Sequence, residues 1–587
     1  MHALRSRPAL GHRTAYPRSE NAQANVALGV IVALGVGVPL VAALATGAIH
    51  VPHNDDWAYS RIALHFAEHA DVQLVGWNQP SLIGHVLWAF PFLTLLGSSL
   101  WVLHVAQALA AAAGLVLAYL VLRRFVPRWF SVLGVALLAV FPGYAVLSTT
   151  YMTDTTAFAA QMGCLLLGLR ALARGRSGTA ELVLALLVGA FAFTIREIAI
   201  AAPLAVLAGR AVSLPRRADR LVTVGMAGAL LVVAAAFVVW RQSLPGGEEP
   251  WLFGDASYYE RFEQLVRALF TCAYALAPAV LLVVVRARTS PFSLATIVAG
   301  AAVLALGLLT ISRAGGAPLT LFSGNSLTRF GAYWETLPGR PLLFSQPLWW
   351  TMTLVALVGG VALALLLARV VAAGRLSADA LARRRASSRF PRSADRHAAH
   401  VAMAVYGAVT VIALVARAAA GTSGVYDRYL WGLGLVLLVL VGAASAHWAL
   451  RPSPAAYAAT AVLAAISFAV LLEEQTASTE RWRAGQALVA SGVDATEVDA
   501  GFEWMGWHYP YVVGAYEGPD RWRPPGTWYN VLKFEAASNC VLMSYSPRSE
   551  TWLTPMGRRS YRPFLLFGSR TLYVYRNPPA CNVTAAG

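Results

Sequence analysis

The stretch His53-Asn54-Asp55-Asp56-Trp57-Ala58-Tyr59 follows directly after the first long apolar run of the chain. Two adjacent carboxylates beside an apolar run are costly, because hydrocarbon stabilises charge far less well than water does. Acids kept in such a place indicate a site that handles protons, cations or hydroxyl groups.

The composition predicts a protein that crosses a membrane many times. Of its 587 residues, 58% are hydrophobic and only 13% are charged, about half the charged fraction of a soluble domain. The net charge of +17 comes from arginine, since Lys533 is the only lysine. The arginines stand in short clusters between apolar runs, which favours a role in membrane topology and argues against nucleic acid binding. Arginine in place of lysine, with much Ala, Gly and Val, is typical of a GC-rich bacterial genome.

The fold class predicted is a polytopic α-helical membrane protein with about thirteen transmembrane helices. The apolar runs fall near 25–49, 100–122, 129–147, 155–172, 180–195, 197–212, 221–240, 263–285, 291–312, 348–371, 400–419, 429–449 and 454–472. The further piece 82–96 is predicted to lie on or dip into the outer face. If it crossed, the arginines at 123, 124 and 128 would be outside, against the preference of positive charge for the cytoplasm. The N-terminus is then cytoplasmic and the C-terminus extracytoplasmic, in a cytoplasmic (plasma) membrane.

Three regions follow from this topology: a cytoplasmic tail 1–25, a transmembrane domain 26–472 whose outer loop 50–99 is the predicted catalytic loop, and an extracytoplasmic domain 473–587. The last is rich in Trp, Tyr, Gly and Pro, and its alternating segments predict a small mixed α/β or β domain. Cys540 and Cys581 both lie there, and a disulfide between them would suit an oxidising exterior. Two free thiols are the alternative.

The spacing within the acidic loop separates the two carboxylates. If a short helix begins near Asn54, Asp55 and Asp56 lie on different faces, so one can face a cavity while the other caps the helix. The alternative is a solvated surface helix on which both acids are caps. Downstream, Trp77, Asn78 and Gln79 bring an aromatic ring and two amides to the same predicted face.

A third acid, Asp154, stands between two apolar runs with almost no loop, so a cation is expected to offset its charge. Arginines predicted on that face are Arg196, Arg313, Arg329, Arg340 and Arg428, and Glu197 follows the first of them. Arginine can hold a phosphate through two parallel hydrogen bonds. Any single one can instead extend to the lipid headgroups. Together with the acids, they predict a cavity for a lipid phosphate.

Three motifs carry a resemblance to a known class. They are Asp55-Asp56-x-x-Tyr59, then Asn78-Gln79-Pro80-Ser81-Leu82, and Tyr151-x-x-Asp154 before a span. In this order they resemble the membrane glycosyltransferases of the GT-C class, nearest to the branch of protein O-mannosyltransferases and lipid A aminoarabinose transferases. The later Tyr426-Asp427-Arg428-Tyr429-Leu430 is similar to a run in bacterial members. The chain departs from the family where Asp56 replaces a Glu and where Gln79-Pro80-Ser81 replaces a basic residue followed by Pro-Pro-Leu.

The resemblance implies transfer of a sugar from a polyprenyl phosphate to an acceptor hydroxyl at the outer face, with inversion. It implies Asp55 as base, Asp154 as the acid that orients the acceptor or an arginine, and Asp56 as the neighbour that keeps Asp55 basic. Arg196 or Arg428 would hold the leaving phosphate. The expected substrate-binding residues are Tyr59, Trp77, Asn78, Gln79, Arg196, Glu197, Arg329 and Arg428. The acceptor can be a glycan, a glycolipid or a protein.

The sequence also allows a metal site and several other functions. No metal is required, because arginines can supply positive charge, although His53, Asp55 and Asp56 are the residues that would bind a divalent ion. A transporter or lipid flippase is the main alternative function, but the chain shows no internal repeat. A structural role with a partner bound to the tail, or another lipid-linked enzyme such as a polymer ligase or acyltransferase, are further alternatives. The sugar is not specified.

Overall fold

The computed structural model describes residues 18–75, 77, 81–214, 216–245, 257–286, 293–319, 321, 327–333, 337–385, 392–420, 425–447, 452–508, 540–563 and 568–581. Asn78 and Gln79, two of the predicted binding residues, lie outside these ranges.

The described chain is mainly helical. The helices are α1 (Arg18–Val32), α2 (Val38–Thr46), α3 (Asp56–His69), α4 (Ile83–Leu96), α5 (Leu100–Leu122), α6 (Arg128–Ala139), α7 (Tyr144–Leu147), α8 (Thr153–Arg174), α9 (Thr179–Ile195), α10 (Ala201–Ser213), α11 (Arg217–Gln242), α12 (Tyr258–Arg286), α13 (Leu294–Arg313), α14 (Gln346–Arg385), α15 (Arg392–Ala420), α16 (Trp431–His447), α17 (Pro454–Ala490), α18 (Phe502–His508) and α19 (Pro578–Cys581). A π-helical turn, Ala33–Gly37, joins α1 to α2. Short 3₁₀ turns cover Ala48–His50, Gly175–Gly178, Glu197–Ile200, Asp427–Leu430 and Ala495–Glu497.

The predicted fold class, a polytopic helical membrane protein with a small C-terminal sheet, is confirmed. Within the described ranges, ten helices are long and apolar enough to cross a membrane, and three shorter apolar helices accompany them. Two predicted spans are broken. The run 129–147 divides into α6 and α7, because Gly143 adopts a left-handed φ of 84° just after Pro142. The run 197–212 begins as a 3₁₀ turn, so α10 keeps only 13 residues.

The piece predicted not to cross is α4. Its 14 residues extend about 21 Å, less than the roughly 30 Å of a hydrocarbon core. Gly84, in its first turn, packs against the end of α9, where a Cβ would overlap Thr194 and come within 3.0 Å of the Phe191 carbonyl oxygen. This close packing brings the start of α4 beside the chain that leaves α9.

The C-terminal part contains a four-stranded sheet of β1 (Val498–Asp499), β2 (Val541–Ser544), β3 (Thr554–Tyr561) and β4 (Arg570–Arg576) in the order β1-β2-β4-β3. β1 pairs with β2 in parallel, and the other pairs are antiparallel. Cys540, just before β2, forms a disulfide with Cys581 in α19. The helix α17 runs unbroken through residue 472, so the predicted C-terminal domain begins inside it.

Four chain segments meet at one end of the helical bundle and build the candidate site. They are the turn before α3, the first turn of α8, the turn after α9, and the 3₁₀ turn before α16. Each lies at a helix terminus, where the backbone can change direction and side chains can project into a shared space. The chain that leads from α17 into α18 reaches the same end, where α18 contacts the turn before α3.

Candidate active site

Asp55 projects from a tight turn into the centre of the site. Asn54 before it has a left-handed φ of 53°, and the Asp56 N–H donates to the His53 carbonyl at 3.2 Å, which turns the chain into α3. Asp55 makes no side-chain capping bond to the helix. Its Oδ1 accepts a hydrogen bond from Trp77 Nε1 at 2.8 Å, and its Oδ2 lies 3.7 Å from Arg428 Nη2. The carboxylate is therefore aimed away from its own helix.

Asp154, in the first turn of α8, reaches the same arginine. It is 4% exposed and forms an ion pair with Arg196, and its Oδ1 also lies 3.7 Å from Arg428 Nε. Its Oδ2 is buried and has no hydrogen-bond partner among the described residues. The two acids that the sequence singled out separately thus meet on one guanidinium.

Arg428 is 5% exposed and is held between Asp55 and Asp154 at distances too long for hydrogen bonds. Its Nε and Nη1 have no hydrogen-bond partner within the described chain. The rings of Tyr426 and Tyr429 flank it, with centroids 5.1 and 5.4 Å from its guanidinium carbon. Buried donors in proteins are nearly always paired. A ligand with acceptor oxygens, such as a phosphate, would satisfy them.

Three guanidinium groups surround the Tyr429 ring. Those of Arg196 and Arg417 lie 4.7 and 4.8 Å from its centroid, and that of Arg428 lies at 5.4 Å. Arg196 Nη2 is also 3.4 Å from the phenol oxygen. Three arginines near two carboxylates leave an excess of positive charge, which favours an anionic ligand. Arg417 was not predicted; the signal in the sequence is an arginine inside the last turn of an apolar run.

Asp56 occupies a different environment from Asp55. It is fully buried, and it accepts hydrogen bonds from His104 Nε2 at 2.7 Å and Ser60 Oγ at 2.6 Å. His104 Nδ1 faces the Ile49 carbonyl oxygen at 2.9 Å. Both ring nitrogens of His104 therefore face oxygen atoms. Burial raises the pKa of the Asp56 carboxyl, but the charge and hydrogen bond of His104 outweigh it and hold that pKa below its ordinary value.

Of the remaining predicted residues, Tyr59 lies in the site, whereas Glu197 and Arg329 make contacts elsewhere. Tyr59 is buried in the site, where burial and then the Asp55 charge raise the pKa of its phenol well above the ordinary value. Glu197 is exposed and accepts a hydrogen bond from Ser81 Oγ at 2.6 Å. Arg329 donates to Gln346 at 3.2 Å.

Two other arginines from the predicted set also lie in separate contacts. Arg340 pairs with Glu473 and Glu474, and Arg313 lies over the Tyr259 ring at 5.5 Å. Of the five arginines predicted on this face, the structure brings Arg196 and Arg428 to the acids.

A second buried network, which was not predicted, borders the site. Arg340 Nη2 lies 2.7 Å from Glu473 and 3.0 Å from Glu474, and Arg570 Nη1 lies 2.9 Å from the second oxygen of Glu473. His53 Nδ1 lies 3.6 Å from Glu474. Burial lowers the pKa of His53, but Glu474, the Asp56 charge and the Ala48 carbonyl together outweigh it, so that the pKa is raised. This network joins the chain just before Asp55 to α17 and β4.

The residues considered for a metal do not form a common set. His53 lies against Glu474 and the Ala48 carbonyl oxygen, and Asp56 lies against His104. In the described part of the chain, no group of three His, Cys, Asp or Glu side chains is arranged to hold a metal ion.

Residues 79–240 match the family model described as dolichyl-phosphate-mannose-protein mannosyltransferase. The predicted resemblance to GT-C membrane glycosyltransferases is confirmed. The matched segment contains Asp154 and Arg196, whereas Asp55 and Arg428 lie outside it. Among curated proteins, none matches this chain.

Solved structures similar to the chain include two crystal structures of ArnT from Cupriavidus metallidurans, one in the apo state and one bound to undecaprenyl phosphate. Each is 16% identical and covers 72% of this chain, with 77% of the apo protein and 78% of the bound protein matched. The TM-score is 0.31 in both cases.

Replacing His104 by Ala is expected to lower the free energy of unfolding by about 3–5 kcal/mol, because the buried Asp56 charge loses its partner. Thermal or denaturant unfolding of the detergent-purified protein, followed by circular dichroism, measures it. The matched control is His65→Ala, which removes an exposed His–Asp pair of 3.1 Å to Asp71 and should cost no more than about 1 kcal/mol. Equal losses of unfolding free energy in both variants would show that the Asp56–His104 pair stabilises the fold no more than an exposed pair does.

Proposed function

We propose that the protein is an inverting glycosyltransferase that passes a sugar from a polyprenyl phosphate to an acceptor hydroxyl. The observation that carries this proposal is the meeting of Asp55 and Asp154 on Arg428, whose buried Nε and Nη1 have no hydrogen-bond partner among the described residues. A carboxylate beside an unsatisfied guanidinium provides the two functions that such a displacement needs: a base and a phosphate stabiliser.

Asp55 is the base of the proposed reaction. The acceptor hydroxyl gives its proton to Asp55 while its oxygen forms a bond to the anomeric carbon, and the bond from that carbon to the phosphate oxygen breaks. The bonding electrons leave with the phosphate. The Trp77 N–H that donates to Oδ1 orients the carboxylate, so that Oδ2 is the oxygen available to the acceptor.

Arg428 stabilises the leaving phosphate. Negative charge grows on the phosphate as the bond to the sugar breaks, so a guanidinium placed there in advance lowers the barrier. Asp154 orients the two guanidinium groups: it forms an ion pair with Arg196 and lies 3.7 Å from Arg428. Arg417, whose guanidinium carbon lies 4.8 Å from the centroid of the Tyr429 ring, adds further positive charge.

The family match supports a lipid-linked donor, since the model that matches residues 79–240 is described by a dolichyl-phosphate sugar. The donor sugar, whether a hexose or a pentose, and the acceptor, whether a glycan, a glycolipid or a protein, are to be found by experiment. No step of the proposed reaction requires a metal ion, because the arginines supply the positive charge.

Purified protein should consume one member of a panel of polyprenyl-phosphate sugars, and Asp55→Asn should reduce the rate by at least about 100-fold, because the base is lost. Radiolabelled sugar transfer measures both. Asp71→Asn, which changes an exposed acid after α3, is the matched control and should keep the rate. Consumption of no donor by the wild type would favour a transporter instead, and full activity of Asp55→Asn would remove Asp55 from the role of base.

Arg428→Met should weaken the binding of unglycosylated polyprenyl phosphate by roughly 30-fold, which corresponds to about 2 kcal/mol for lost charge-assisted hydrogen bonds. Equilibrium binding to the protein in lipid nanodiscs measures it. Arg329→Met is the control, since Arg329 pairs with Gln346, and its dissociation constant should match that of the wild type. Equal affinities in all three proteins would place the phosphate elsewhere.

The site is proposed to face the outside of a plasma membrane, with a cytoplasmic N-terminus and an extracytoplasmic C-terminus. In cells, a membrane-impermeant maleimide should label Asp71→Cys, just after α3, and should not label Arg174→Cys. These positions are suitable because both are exposed and Arg174 ends the 22-residue helix whose first turn contains Asp154, about 30 Å away. The reverse pattern of labelling would invert the topology.

A further inference from the structure

The short helix α18, in the C-terminal part of the chain, packs against the turn that presents Asp55. The Phe502 ring makes edge contacts with Trp57 at 5.8 Å and with Trp77 at 5.2 Å between centroids. Gly506 lies so close to Trp57 that a Cβ there would overlap the indole ring. Arg61 Nη1 also donates to the Gly506 carbonyl at 2.8 Å. These contacts fix α18 on the first two turns of α3.

Glu503 connects this helix directly to the residue before Asp55. It is 2% exposed; its Oε1 accepts the Asn54 backbone N–H at 3.0 Å and its Oε2 accepts Arg481 Nη2 at 2.7 Å. Asn54 adopts a left-handed φ of 53°, which Asn tolerates better than most other residues but still at an energetic cost. A charge-assisted hydrogen bond to its own N–H offsets that cost and holds the turn.

Two neighbouring residues of α18 therefore support the Asp55 carboxylate from both sides. Glu503 holds the backbone that leads into Asp55, and Phe502 packs on Trp77, whose indole N–H donates to Asp55 Oδ1. Neither α18 residue is among those in direct contact with Arg428 in the described structure. Their effect on the site passes through Asn54 and Trp77.

We propose that Glu503 is a positioning residue for the reaction: it accepts the Asn54 N–H and so fixes the direction of the Asp55 carboxylate. The C-terminal part of the chain thereby completes the site. This inference rests on the proposed function for its catalytic meaning, but the hydrogen bond itself is testable without any activity. A displacement of about 1 Å of a catalytic group can reduce a rate by roughly 100-fold, so the loss of this support should appear in kcat.

The test compares two double variants of the full-length protein that differ in one group. Both carry Arg481→Met, which removes the ion pair. One adds Glu503→Gln, which keeps an oxygen acceptor for the Asn54 N–H, and the other adds Glu503→Met, which has a similar volume and no such acceptor. The Met variant should have a kcat at least about 10-fold lower than the Gln variant, with the same KM for the donor and the same dissociation constant for polyprenyl phosphate.

A second measurement reports on the turn directly. Hydrogen–deuterium exchange of a peptide that covers residues 53–59 should be at least about 10-fold faster in the Met variant than in the Gln variant, since the Asn54 amide loses its acceptor. If kcat and exchange are equal in the two variants, the positioning role is wrong. A loss of kcat accompanied by weaker phosphate binding would show a general structural role and would also overturn it. Absence of transfer by the wild type would refute the proposed function, whereas the exchange rates would still decide the inference.

Discussion

The structure depends on one electrostatic constraint: a guanidinium that is almost fully buried must have negative charge close to it. Arg428 meets this condition with Asp55 on one side and Asp154 on the other, each 3.7 Å away. Asp154 in turn pairs with Arg196. Because removing one partner of a buried charge set costs several kcal/mol, the four chain segments that carry these residues are held together at one end of the bundle.

Buried ion pairs also attach the C-terminal part of the chain to the site. Glu473 and Glu474, at the point where α17 leaves its apolar half, are buried and share Arg340, while Arg570 of β4 reaches Glu473. His53 approaches Glu474 from the other side. A sheet that looks separate in sequence is thus tied by ion pairs to the turn before Asp55. This is a physical reason for the C-terminal part to contribute to the proposed reaction.

Hydrophobic length and the position of acids beside apolar runs were enough to predict the helical membrane fold and the pairing of Asp154 with an arginine. They were not enough to separate Asp55 from Asp56, since adjacent helical positions differ by about 100° and the face that each would occupy depends on His104, far along the chain. Nor could they find Arg417 or the Glu473–Arg570 pair. These contacts join segments that are distant in sequence, and a periodic pattern carries no information about which distant residues meet.

The two adjacent acids have different roles: Asp56 anchors the turn, and Asp55 points into the site. Asp56, held by His104 and Ser60, anchors the start of α3 inside the protein, and Glu503 holds Asn54 on the other side. Asp55 lies between two fixed neighbours, so its side chain has little freedom to turn away from Trp77 and Arg428. A base that is already oriented needs less rearrangement when the acceptor arrives, which is the general source of rate enhancement in pre-organised sites. The buried pair of Asp56 and His104 therefore serves the proposed reaction without touching the substrate.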